Sequence, residues 1–217
     1  MKRFTYAAFV FCATLMLNAN GYAQSLKDFF SNSETKTVYL GIDFSKAKLI
    51  NDPGANTMDI RNRLYNSIND VTVNEAKKYD FGKAFHKSSV SSDLSAVKKR
   101  INGINAENIL SSNTEDFNRF SESDISGIVK SLDLSKTKEG VGILFVVEAM
   151  KKQEKNDMAA VWVVLINLSN KKVLMTKRYE EKARGFGFRN LWVSPIKAAM
   201  DQFDKDYSDF KKQYAKD

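Results

Sequence analysis

Residues 140–192 read GVGILFVVEAMKKQEKNDMAAVWVVLINLSNKKVLMTKRYEEKARGFGFRNLW. Residues 142–150 and 159–166 of this stretch are almost continuously apolar, and residues 151–157 between them are polar or charged. Apolar runs of that length, set apart by an exposed joint, read as strands covered on both faces. A second, tighter joint, Leu168-Ser169-Asn170-Lys171, leads into residues 172–178. There Val173 and Met175 alternate with Leu174 and Thr176, which predicts a third strand nearer an edge. Three strands on short joints form an antiparallel meander. Ser194-Pro195 then offers a serine cap followed by proline at a first helical position. From there Ile196, Ala199, Met200, Phe203, Tyr207, Phe210 and Tyr214 make one stripe at spacings of three and four, opposite Lys197, Asp201, Lys205 and Lys212. A helix over 195–214 docked on the meander is the expectation.

Upstream, residues 37–44 alternate. Val38, Leu40, Ile42 and Phe44 point one way and Tyr39, Gly41 and Asp43 the other, as in a half-buried strand. Asn51-Asp52-Pro53-Gly54 is a turn. Thr57 is placed to cap a helix to Asp70 carrying Ile60, Leu64 and Ile68, with a further turn or two over 74–79. Asp80-Phe81-Gly82 breaks it, and residues 83–87 read as a short strand. Ser91 or Ser92 caps a helix with Leu94, Val97 and Ile101, ended by Asn102-Gly103. Ser123-Asp124 opens another, with Ile125, Ile128, Val129 and Leu132 inward. Near the amino terminus Leu26, Phe29 and Phe30 belong to a short helix or a tail docked by its rings. Neither repeats nor linkers interrupt the chain.

The first residues look like a processing signal. Met1-Lys2-Arg3 is cationic, residues 4–17 are mostly apolar, and Gly21-Tyr22-Ala23 has small residues where a signal peptidase reads, so residues 1–23 are expected to be removed. The apolar run is shorter than the ~20 residues of a spanning helix. Cleavage would leave 194 of the 217 residues as a single α+β domain over 24–217, enough for a sizeable core. The one cysteine, Cys12, lies in the signal, behind Val10-Phe11 where a lipoprotein needs small residues. Disulfides and thiolate chemistry are thereby excluded from the mature chain. The signal carries two basic residues and no acid, so the charge of +8 becomes +6. The lysines are scattered among acids, which is a solvated surface rather than a nucleic-acid stripe. No nucleic-acid partner is expected, and no transmembrane segment after cleavage.

Catalytic groups are scarce. His86 is the only histidine, with no acid beside it in sequence. Glu180-Glu181 and Asp201, Asp204 and Asp206 read as solvated charges, and no calcium loop or dinucleotide fingerprint is present. Neither a cofactor nor a metal is expected. Asp43, at the end of the first strand, is the most interesting acid, and a pair of carboxylates dispersed in sequence could still meet in a cleft. The unusual motif is Gly185-Phe186-Gly187-Phe188-Arg189-Asn190. Its glycines either permit positive φ in a strand-to-helix turn whose aromatics cover the core, or expose backbone amides to an anion beside Arg189. Exposed rings there would make a binding patch, so these six residues are the candidate binding site.

Val38-Tyr39-Leu40-Gly41-Ile42-Asp43-Phe44, Lys171-Lys172-Val173-Leu174 and the motif running into Leu191-Trp192 resemble uncharacterised exported proteins of Bacteroides-type bacteria, a domain of unknown function. The strand–helices–meander–helix order is loosely similar to TolB amino-terminal-like α/β domains, an analogy of fold that transfers no activity. The expected fold is α+β: a mixed four- to five-stranded sheet with a C-terminal three-stranded meander and helices packed mainly on one face. The expected function is that of a non-enzymatic binding or assembly module of the bacterial periplasm or cell envelope, periplasmic or secreted, with a protein or envelope component as partner. The alternative is a hydrolase acting on glycan or peptide with dispersed carboxylates.

Overall fold

The structure is a computed structural model and describes residues 26–215. The expected signal peptide, residues 1–23, lies outside them. Strand β5, Val141–Lys151, is the axis of the sheet and is buried along all but its last residue. Strand β6, Met158–Asn167, pairs antiparallel on one side of it, and β7, Lys172–Lys182, pairs antiparallel with β6 alone. The expected meander is therefore present, with its third strand at an edge.

On the other side of β5 lie β1, Thr37–Asp43, and β2, Lys48–Ile50, end to end and parallel to it. Thr37 sits opposite Val141, Asp43 opposite Val146 and Lys48 opposite Ala149. The chain leaves the sheet after β1 and returns to the same edge. Strands β3, Ser91–Ser92, and β4, Leu110–Ser111, add in parallel to β1 and β2. Among the described residues the mixed sheet thus has seven strands, not four or five. The additional strands are two or three residues each, too short for any periodicity to show in sequence.

Among the described residues six helices cover the sheet. They are α1, residues 26–31; α2, through Thr57–Asp59, a π turn at Ile60–Leu64 and Tyr65–Asn74; α3, Phe81–Ala84; α4, Ser95–Asn102; α5, Glu122–Lys130; and α6, Gly187–Tyr214. Most of the helices pack on one face, and two cover the other, because two separate apolar clusters flank the sheet. One joins Ile143, Phe145 and Val147 of β5 to α1, α2, α3 and α6. The other joins Leu144 and Val146 to Ala96 and Val97 of α4 and to Ile125, Ile128 and Val129 of α5. A strand apolar on both faces needs a cover on each.

Several local expectations shift. Asn56, not Thr57, caps α2, its side chain accepting from the Asp59 amide. Residues 83–87 are not a strand, because Asp80 accepts from the Lys83 amide and starts α3 instead. Ser91 and Ser92 form β3, and α4 begins at Ser95. Ser121 rather than Ser123 caps α5, in a capping box with Asp124. The alternation of β1 breaks at Gly41, where φ is +96° and the register against β5 slips. Val38 and Leu40 face one cluster, whereas Ile42 and Phe44 face the other with Tyr39. A β-bulge adds a residue on one strand and so inverts the faces beyond it.

The C-terminal helix begins at Gly187, eight residues before Pro195, which lies inside it. Proline has no N–H for the carbonyl four residues back. That carbonyl, Leu191 O, accepts instead from Ser194 Oγ at 2.8 Å. The stripe expected from Ile196 to Phe210 is buried, and α1 docks on its far end, with Phe30 against Tyr207, Phe210 and Tyr214 at 5.2, 5.9 and 5.7 Å between ring centroids.

Candidate functional site

A cleft of about 930 Å³ lies where β7 ends and α6 begins. Glu180, Glu181 and Lys182 form one wall, Arg189, Asn190, Ser194, Lys197 and Asp201 of α6 another, and Glu75 and Lys78 from the turn after α2 a third. The linking loop, Arg184-Gly185-Phe186, is the rim. Gly185 has φ +129°, and a Cβ there would stand 2.9 Å from the Asn190 carbonyl oxygen. Gly187 has φ +73°. Both glycines are thus required by backbone geometry.

The six-residue motif is divided by the fold. Phe188 turns to the core, its ring 6.4 Å from Tyr65 and 6.3 Å from Trp192. Gly185, Phe186, Arg189 and Asn190 line the cleft, and Gly187 starts the helix without lining it. Phe186 is 95% exposed; Met58 is the other exposed large apolar side chain among the described residues. Helix α6 has no side-chain cap and no acid in its first turn, so its first amides receive no side-chain partner.

Charge in the cleft is partly internal. Lys78 pairs with Glu75 at 3.7 Å, Lys197 with Asp201, and Glu180 with Arg178 at 2.5 Å. Arg189 Nε donates to Asn190 Oδ1 at 3.1 Å, and among the described residues Lys182, Arg184 and Arg189 form no ion pair with a carboxylate. Burial pushes the Glu181 carboxyl above the usual range, with the charge of Asp201 adding to it and Lys205 opposing. Tyr79, next to Lys78 in the chain, is 2% exposed and does not line the cleft. Burial raises its pKa against the opposing charges of Lys78 and Arg189.

The other sequence candidates have structural partners. Asp43 is buried, accepts from the Ser45 amide at 2.7 Å and pairs with Arg100 of α4 at 2.7 Å, which fixes α4 to the end of β1. His86 has φ 51°, stacks on Tyr207 at 3.9 Å and places Nε2 2.7 Å from Asp204. It therefore fastens the turn after α3 to α6. Asp206 accepts from the Tyr179 hydroxyl at 2.9 Å. Among the described residues no group of three or more His, Cys, Asp or Glu side chains could hold a metal ion.

Sequence reading missed Glu148, set in the apolar run of β5. It is fully buried and accepts from the Phe120 amide at 2.6 Å, Trp162 Nε1 at 3.0 Å and Arg178 Nε at 2.8 Å. Arg178 also donates to the Phe117 carbonyl at 2.7 Å, so this pair holds the 114–120 segment against the sheet. Glu75, Lys78, Arg184 and Lys197 were likewise not singled out, since only the fold gathers them.

Among the described residues no helix is long and apolar enough to cross a membrane. Comparison with protein-family models and with curated proteins finds no match.

Proposed function

We propose that the protein is a non-enzymatic binding or assembly module of the bacterial periplasm or cell envelope, and that it takes its partner at the cleft between β7 and α6. The observation that carries this reading is Phe186, 95% exposed on the rim beside Arg184 and Arg189. Aromatic and arginine side chains dominate the energetics of protein interfaces, and an exposed phenylalanine contributes nothing to the core. The envelope location comes from the signal-like amino terminus. The likeness to exported proteins of Bacteroides-type bacteria and to TolB amino-terminal-like domains belongs to the same proposal.

The test is affinity capture from a native envelope extract with the wild type, Phe186→Ala and Arg189→Ala. Both variants should fold as the wild type does, with stability within about 0.5 kcal/mol, as for surface substitutions. Each should lose the same bound component. An unchanged set of captured components from correctly folded variants would remove this site.

A second reading, a hydrolase of glycan or peptide, has one observation in its favour. Glu181 and Asp201 line the same cleft, and Glu181 is pushed toward its protonated form. Glycoside hydrolysis uses two carboxyl groups in one cleft, with the acid's pKa raised. Release of reducing ends or new amino groups from cell-wall glycan and peptide substrates, abolished by Glu181→Gln, would establish it. Absence of turnover would leave the binding reading alone.

A further inference from the structure

We infer that the protein pairs with a second copy of itself through the open edge of β7, antiparallel and about a two-fold axis at Tyr179. This goes beyond the cleft and does not depend on the partner taken there.

The first observation is the edge itself. Strand β7 runs for 11 residues and pairs with β6 alone. Among the described residues no loop, helix or further strand makes a backbone hydrogen bond to residues 173–182 from the outer side. Such a row of outward N–H and C=O groups is a template for another strand. Sheets that avoid pairing keep their edge strands short, or break them with proline or a bulge. The opposite side of the sheet ends in this way, in β3 and β4 of two residues each. Strand β7 has no proline, and its register slips against β6 only near its start, between Leu165 and Ile166 of β6. Met175 and Tyr179 are its only buried residues, whereas β5 and β6 are buried along nearly their whole length. Charge is the remaining protection, and here it is arranged to attract a copy.

The second observation is that arrangement. Residues 177–181 read Lys-Arg-Tyr-Glu-Glu, two cations and two acids set symmetrically about a tyrosine. In an antiparallel pair centred on Tyr179, Lys177 falls opposite Glu181 of the second copy and Arg178 opposite Glu180, each twice by symmetry. Residues directly opposite in such a pair have Cβ atoms about 4.5–5.5 Å apart on one face, where opposite charges attract and like charges repel. Within the chain Lys177 Nζ lies 5.9 Å from the Tyr179 and Phe210 ring centroids. Among the described residues neither Lys177 nor Glu181 forms an ion pair, so both are available to the copy. Arg178 already meets Glu180 of its own strand at 2.5 Å, and across the axis the two pairs become one cluster of four charges. In-register parallel pairing would set like charges side by side, and an unrelated strand lacks this order, which selects an antiparallel copy. An isologous contact of this kind closes as a dimer.

The test is sedimentation velocity of the purified protein in a dilution series up to about 200 μM, since the population of a dimer follows concentration. The wild type should form dimers and nothing larger. Lys177→Glu and Glu181→Lys, each folded by circular dichroism, should weaken the dimer about ten-fold or more, because each sets two like-charged pairs across the axis. In an equimolar mixture of the two variants positions 177 and 181 again face opposite charges, and dimers of one chain of each kind should return near wild-type strength. If either single variant fails to fold, the double variant Lys177→Glu/Glu181→Lys, which restores both pairs within one chain, should dimerise as the wild type does. A wild type that stays monomeric throughout would overturn the inference. So would a dimer indifferent to both reversals, a mixture no tighter than the variants alone, or open-ended assemblies. Capture through Phe186 and Arg189 is read separately, because neither residue lies in the paired segment.

Discussion

Asn69 shows how one side chain can hold an irregular strand. Beyond the bulge at Gly41, Ile42 stays in register with Phe145, and its backbone N–H and C=O take the Asn69 amide as partner. Asn69 Oδ1 accepts from Ile42 N–H at 2.7 Å and Nδ2 donates to Ile42 O at 3.0 Å, both fully buried. Thr72 then bonds Asn69 O at 2.7 Å and lies 3.0 Å from the Tyr39 hydroxyl. Removing such a partner leaves buried backbone groups unpaired at roughly 1–3 kcal/mol each. Asn69→Leu, similar in volume, is therefore expected to lower unfolding stability by about 2–4 kcal/mol in urea titration. A loss below about 0.5 kcal/mol, the range of ordinary surface changes, would mean that water serves these groups equally well.

At the scale of the element, α6 is held through its proline by Ser194. The hydroxyl donates to Leu191 O and accepts from the Arg184 amide at 2.6 Å, so it mends the helix and anchors the rim loop together. Ser194→Ala should cost about 1–2 kcal/mol in the wild type. In a Pro195→Ala background the new N–H can serve Leu191 O, and the cost should shrink by about 1 kcal/mol. The double-mutant cycle reads that coupling, and strict additivity would dismiss the repair. For the rim itself, Phe186→Ala should leave stability unchanged while binding falls.

Across the whole molecule, alkaline pH tests the burial of the tyrosines and of Lys87. Burial holds the Tyr39, Tyr65 and Tyr179 hydroxyls well above the usual range and pushes Tyr207 up to about 12. In the unfolded chain each titrates near ~10. Above that pH the unfolded state binds fewer protons than the native one, so stability falls as pH rises from about 10 through 12. Lys87 has the opposite sign. Burial, with Lys211 adding, lowers its pKa from 10.5 to about 8, although it donates to the Phe29 and Asn32 carbonyls at the end of α1. Between about 8 and 10 the unfolded chain holds the extra proton, and stability should rise. The urea midpoint measured from pH 7.5 to 11 should therefore climb, then drop. Lys87→Met should flatten the climb and leave the drop, and a monotonic profile in the wild type would contradict the assignment.

The amino-acid sequence by itself determined the meander, the striped helix behind it and the glycine-bearing loop between them. Their signals are local: long apolar runs, a 3.6-residue period, and glycines wherever φ must be positive. It also marked the motif holding Phe186 and Arg189 as the candidate site, while leaving its rings open to a core or a surface role. Tertiary structure alone decided which face each side chain meets. The bulge at Gly41 inverts half of β1, the three shortest strands are defined only by their pairing with neighbours distant in the chain, and α4 and α5 cover the second face because β5 is apolar on both. It alone set Glu148 and Arg178 together, and gathered Glu75, Lys78 and Arg184 beside the motif. Such encounters join residues distant in the chain through packing, and no local pattern encodes them.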